Sequence, residues 1–109
     1  MLPLWELARL DHVRVFSRST LRDFAEEHAD VRQQLFAWFA DVSKATWAGP
    51  NDIRARYASA SFVGNDRVVF NIKGNDYRII VSVSYQFHAV YIRFIGTHAE
   101  YNSVDAATI

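Results

Sequence analysis

Five side chains in the second half of the sequence have the types and the spacing to act on a phosphate ester: Lys73, Arg78, Arg93, His98 and Tyr101. Side chains alternate between faces along a β-strand. Over Asp76–Ser84 this places Tyr77, Ile79, Val81 and Val83 on one face and Asp76, Arg78, Ile80, Ser82 and Ser84 on the other. Over Arg67–Lys73, the residues Arg67, Val69, Asn71 and Lys73 share a face, and over Tyr91–Ile95 so do Tyr91, Arg93 and Ile95. With the apolar face packed on helices, Asn71, Lys73 and Arg78 converge on the open face, and Arg93 joins them from the neighbouring strand. His98 and Tyr101 lie three residues apart and share one side if Gly96–Tyr101 turns helical.

Such a set suits cleavage of RNA without a metal ion. The ribose 2′-hydroxyl loses a proton and attacks the adjacent phosphate, the phosphorane gains negative charge, and the 5′-oxygen gains a proton. Fixed Arg and Lys donors stabilise the phosphorane, each by about 100- to 1000-fold in rate. A positioned His, Tyr or Lys moves the protons, for about 100- to 10,000-fold, and His is suited to this near neutral pH. His12, His28 and His88 show no ligand spacing and no His/Asp/Glu cluster suggests a metal site, so no metal and no cofactor is expected. The Ser59-Ala60-Ser61 stretch lacks a Gly-x-Ser-x-Gly context for a nucleophile. The same residues also suit plainer roles. Arg78 and Arg93 fit a solvated face paired with Glu100 and Asp105, Lys73 an ordinary hairpin flank, His98 the neighbour of a helix cap, and Tyr101 a packed aromatic.

Positioning these groups requires a sheet and something to cover it. Val13–Phe16 is β-branched and alternating, and reads as a first strand. Thr20 and Asp23 have capping-box spacing, predicting a helix over residues 20–28. Asp30 with Gln33 marks a second start. Val31, Leu35, Trp38, Phe39 and Val42 then form an apolar stripe, predicting a helix over 31–44 that ends before Gly49-Pro50. Asn51–Tyr57 has room for one more short helical turn. From Ser61 the period changes, and Ser61–Val63, Arg67–Lys73, Asp76–Ser84 and Ala89–Ile95 read as strands joined by tight Gly/Asn/Asp turns. Short turns between consecutive strands make an antiparallel meander, so the class is α+β with two helices on one layer of sheet.

The composition permits this. Half of the 109 residues are apolar, with eight Phe, five Tyr and three Trp, which is enough for a single-domain core. There is no cysteine, which excludes disulfides, thiol catalysis and cysteine-based zinc sites and fits a reducing cytoplasm. Formal net charge is zero, with six basic and seven acidic residues over 1–50 and six and five over 51–109. A nucleic-acid contact must therefore be local. No apolar run is long enough to span a membrane, and the first residues lack the pattern of a signal peptide. Residues 1–12 offer at most a weakly amphipathic turn or two.

Three segments carry a resemblance: Ser59–Gly64, Val69-Phe70-Asn71-Ile72-Lys73-Gly74-Asn75-Asp76-Tyr77-Arg78, and Tyr91-Ile92-Arg93-Phe94-Ile95-Gly96-Thr97-His98-Ala99-Glu100-Tyr101. Together with Val15-Phe16 and Asp105–Ile109, they make residues 13–109 resemble the HigB family of toxins. The resemblance implies a RelE-like fold, with two N-terminal helices on a mainly antiparallel sheet of four to five strands. It implies an mRNA endonuclease acting at the translating ribosome. It also implies a HigA-type helix-turn-helix antitoxin partner, through which the pair would bind operator DNA and repress its own operon. The positions it marks as catalytic are Lys73, Arg78 and His98, with Tyr101 near a functional tyrosine. Asn71 stands where some relatives place a second Lys, and His98 where others use Arg. On this reading Arg78 binds the scissile phosphate, Lys73 and Arg93 assist, His98 or Tyr101 transfers protons, and Arg67, Asn71, Lys73 and Asn75 bind RNA. The family usually opens shortly before Val-Phe, so residues 1–12 are expected to be an extension produced by a misplaced start, with Val13 at the true one. Two other readings use the same residues: a non-catalytic RNA- or ribosome-binding module that stacks bases on Phe70, Tyr77 and Tyr91, and an inactivated toxin serving as an interaction domain.

Overall fold

The computed structural model describes residues 12–109, and the expectation for residues 1–12 lies almost wholly outside them. Strand β1 (Arg14–Phe16) leads into helix α1 (Arg18–Glu27), a single 3-10 turn at Ala29–Val31, and helix α2 (Arg32–Ser43). Helix α3 (Pro50–Arg56) follows, then strands β2 (Ser61–Gly64), β3 (Arg67–Ile72), β4 (Tyr77–Ser84) and β5 (Ala89–Thr97), and a last helical turn, α4 (His98–Tyr101). The five strands form one sheet in the order β1-β5-β4-β3-β2. The last four make the expected antiparallel meander, while β1 pairs parallel to β5. A parallel neighbour requires a crossover, and the helices supply it. The α+β class holds, with a mixed five-stranded sheet.

The helices cover one face of the sheet. The stripe expected on α2 is buried at Leu35, Trp38 and Val42, with Val31 just ahead of it. These residues meet Val15, Phe70, Ile79, Val81, Val90 and Ile92 in one core. Phe70 is the hub, with the rings of Trp38, Trp47 and Tyr57 centred 5.5, 6.4 and 5.0 Å from its own. No helix among the described residues is long and apolar enough to cross a membrane.

Both expected helix caps are corrected. Ser17 turns the chain with a left-handed backbone (φ 68°), so α1 begins at Arg18 and Thr20 and Asp23 fall inside it. Asp30 lies in the 3-10 turn and caps nothing; its carboxylate is taken by Tyr77 and Lys73. The opposite sheet face is not open throughout. The segment after α4 folds across it, packing Val104, Ala106 and Ile109 on Val63, Val69, Ile80 and Phe94. The Arg67 guanidinium holds this tail through two hydrogen bonds to the Ile109 main-chain oxygen, at 3.2 and 2.7 Å.

Candidate active site

Strand alternation on β4 places Arg78 on the face away from the helices, opposite Asn71 on β3 and Gly96 on β5. Its side chain is only 7% exposed. One terminal nitrogen donates to the Asn75 and Tyr77 carbonyls, at 3.1 and 3.3 Å. The other reaches Asn75 Oδ1 and lies 2.8 Å from His98 Nδ1. The guanidinium carbon also sits 5.5 Å from the centre of the Tyr101 ring. Every one of these partners is neutral, and among the described residues Arg78 has no carboxylate ion pair. A buried cation without a counter-ion is costly unless an anion joins it.

The residue after β5 is fixed by main-chain geometry. Thr97 caps α4, with its hydroxyl accepting from the Glu100 amide at 3.1 Å while Glu100 Oε1 accepts from the Thr97 amide at 2.8 Å. This reciprocal cap satisfies two amides that the turn would leave bare. It also holds the Glu100 carboxyl below its ordinary value, through the Thr97 backbone bond first. The His98 amide donates to the Asp76 carbonyl at 2.9 Å, which ties α4 to the β3–β4 turn. His98 and Tyr101 thus face Arg78 together, as their spacing suggested. Because Arg has only donors, the contact with Nδ1 assigns that nitrogen the lone pair and places the proton of the neutral ring on Nε2.

The remaining expected residues do not all gather here. Lys73 has a left-handed backbone (φ 53°) where β3 has already ended. Its ammonium goes to Asp30 Oδ2 at 3.3 Å, beside the Tyr77 hydroxyl at 2.7 Å, on the helix side of the sheet. Tyr77, followed by burial and Lys73, decides the balance that leaves the Asp30 carboxyl below its ordinary value. Arg93 does not join Arg78 either. Val81 pairs with Ile92 and Ile80 with Phe94, so Arg93 is the extra residue of a β-bulge and bonds Ser82 Oγ at 3.1 Å. The bulge also resets the alternation, sending Ile95 into the helix-side core instead of beside Arg93. Arg67 is committed to the tail and to the Asn65 carbonyl. Asn71 flanks Arg78 and Asn75 holds it. Of the aromatics considered for stacking, Phe70 and Tyr77 are buried among the helices and only Tyr91 is exposed.

Two features escaped the sequence reading. The capping box at Thr97–Glu100 was legible as Thr-x-x-Glu. Gly96 was not: a Cβ there would lie 2.4 Å from the ring of Phe94, two residues earlier on the same face. A second polar cluster, Asp41 with Arg56 and Tyr57, joins α2 to α3; the Arg56 guanidinium lowers the Asp41 carboxyl, and burial pushes the Tyr57 phenol up. No three His, Asp or Glu gather in metal-binding fashion among the described residues.

The comparisons with known proteins agree with one another. A family model described as HigB_toxin, the RelE-like toxic component of a toxin–antitoxin system, matches residues 31–104. The mRNA interferase toxin HigB of Escherichia coli strain K12 is 28% identical over 92 residues, which is 83% of this chain and 88% of that protein. The mRNA interferases HigB of Escherichia coli O157:H7 and of Shigella flexneri match to the same extent.

Proposed function

The chain belongs to the HigB toxin family, the RelE-like toxic components of toxin–antitoxin systems, and from that premise we propose that it is an endoribonuclease that cleaves mRNA. The observation that carries the reading is the buried Arg78 guanidinium, held only by neutral acceptors and touching His98 and Tyr101. The missing counter-ion is the scissile phosphate. Its arrival draws the Arg78 amino group away from His98 Nδ1, and the freed lone pair accepts the proton of the ribose 2′-hydroxyl. The 2′-oxygen bonds to phosphorus, Arg78 stabilises the charge of the phosphorane, and the bond to the 5′-oxygen breaks as Tyr101 donates a proton to it. The products are a 2′,3′-cyclic phosphate and a 5′-hydroxyl. Asn71 and Asn75 flank the phosphate, while Lys73 stays paired with Asp30 on the helix side of the sheet.

The relatives' names support mRNA as substrate. A ribosome presenting the message, a HigA-like helix-turn-helix antitoxin, operator DNA bound through that antitoxin, and a cytoplasmic setting complete the proposal.

Inducible expression in bacteria with mapping of mRNA 5′ ends tests it. Growth arrest with new ends inside coding regions is expected, and Arg78→Ala should remove both, cutting cleavage about 100- to 1000-fold. A folded Arg78→Ala protein that still cuts would exclude Arg78 from the chemistry.

A further inference from the structure

We propose that the same sheet face carries a second subsite, a stacking platform for an unpaired base of the RNA, built by Phe16 and Tyr91. This rests on the reading of the chain as an RNA-cleaving enzyme and extends its substrate contact beyond the scissile phosphate. Phe16 on β1 and Tyr91 on β5 are register partners, and their rings stack at 4.8 Å and 13°. Both are large aromatics left 41% and 40% exposed, while their strand neighbours Val15 and Val90 are buried in the core. Parallel rings locked by a partner present a rigid π-surface, which any base can extend at little entropic cost.

The charges around the pair select a polyanion. Among the described residues, the strand positions on this face carry Arg14, Arg67, Arg78 and Arg93 and no carboxylate. The tail that crosses the face brings Asp105, whose carboxylate accepts from the Ala107 amide. Arg93 lies two residues beyond Tyr91 on the same face, anchored through Nε to Ser82, the register partner of Tyr91. Among the described residues its terminal amino groups have no protein acceptor, so they are placed to meet a phosphate of a strand whose base lies on Tyr91. Ser82, opposite Tyr91, is four residues along β4 from Arg78, opposite Gly96. At about 3.3 Å per residue the two subsites are roughly 13 Å apart along the strand. The tail packs Val104, Ala106 and Ile109 over Ile80 and Phe94 between the two, so a single strand passes over that tail, with its scissile phosphate at Arg78 and a flanking base on the aromatic pair.

The test uses the full chain and two fluorescent probes that cannot be cleaved, a 2′-O-methyl decauridylate and a 2′-O-methyl trinucleotide, with binding read by anisotropy. Tyr91→Ala should weaken the decanucleotide about tenfold and leave the trinucleotide unchanged. Tyr91→Phe should keep full affinity, and Arg78→Ala should weaken both probes. Iodouridine in the decanucleotide should crosslink to Tyr91. A folded Tyr91→Ala protein that binds the decanucleotide like the parent overturns the subsite and leaves the active-site reading standing. If that variant instead loses the co-expressed antitoxin, the platform belongs to a protein partner and the proposal fails. Parent protein that binds neither probe overturns the subsite, while the mapping of mRNA 5′ ends judges the cleavage reading separately.

Discussion

At the residue scale, the site is defined by how Arg78 is satisfied. Asparagine, two carbonyls and an imidazole take its donors, so the guanidinium is held in place without being neutralised. Lys cannot reproduce this fork, so Arg78→Lys should be nearly as inactive as Arg78→Ala in a cleavage assay, though equally charged. Lys73 shows the reverse case, a cation whose partner Asp30 neutralises it on the other side of the sheet. Three carboxyls, Asp30, Asp41 and Glu100, are held below their ordinary values, by Tyr77, Arg56 and the Thr97 backbone respectively. Their contribution to stability is complete above the unfolded values, 3.8 for the aspartates and 4.5 for Glu100, and is lost as pH falls through the lower folded values. Thermal melts should therefore hold their midpoint from neutral pH down to about this range and decline below it. Asp30→Asn should flatten part of that decline, and an unchanged slope would show that the Asp30 pairing contributes nothing.

At the element scale, two short motifs with the same spacing had opposite fates. Thr20 and Asp23 do not cap, because the chain leaves β1 through a left-handed Ser17 and the helix starts ahead of them. Thr97 and Glu100 do cap, because β5 runs out there and the next turn would otherwise expose its amides. That cap sets the pose of His98 and Tyr101 relative to Arg78. Thr97→Ala should cost about 1 kcal/mol in a denaturant titration. It should also reduce cleavage by more than this loss of folded protein explains; activity that merely tracks the folded fraction would deny the cap any part in positioning. The bulge at Arg93 is the other decision at this scale. It turns Ile95 inward, puts Phe94 and Gly96 on the face of Arg78, and sets Arg93 one position further from Arg78.

At the scale of the whole molecule, zero net charge conceals a sheet face whose charged strand residues, among those described, are all arginines. This is how a neutral chain can offer a local anion surface. RNA affinity should fall with added salt, with a slope near −0.7 per neutralised phosphate, and Arg93→Gln should make that slope shallower by about one contact. The second face of the sheet needs the tail as much as the first needs the helices, since Val69 and Ile80 are buried beneath Val104, Ala106 and Ile109 of the tail. Arg67 anchors that tail. Arg67→Ala should destabilise the fold by about 1–3 kcal/mol and speed limited proteolysis beyond Tyr101. Equal cleavage rates would show that apolar packing alone holds the segment.

The grouping of Arg78 with His98 and Tyr101 came from the family resemblance, whereas residue order alone was enough for the α+β class, the meander and the apolar stripe of α2. These rest on local periodicity, turn chemistry and spacing, which the chain expresses within a few residues. Tertiary structure alone decided the rest. Whether a strand residue stays on its face depends on register, and one bulged residue sent Ile95 to the helix side. Whether a cation is free depends on what faces it, and Asp30 and Ile109, 43 and 42 positions from Lys73 and Arg67, claimed those two. The parallel pairing of β1 with β5, which brings Phe16 onto Tyr91, joins residues that no local pattern links.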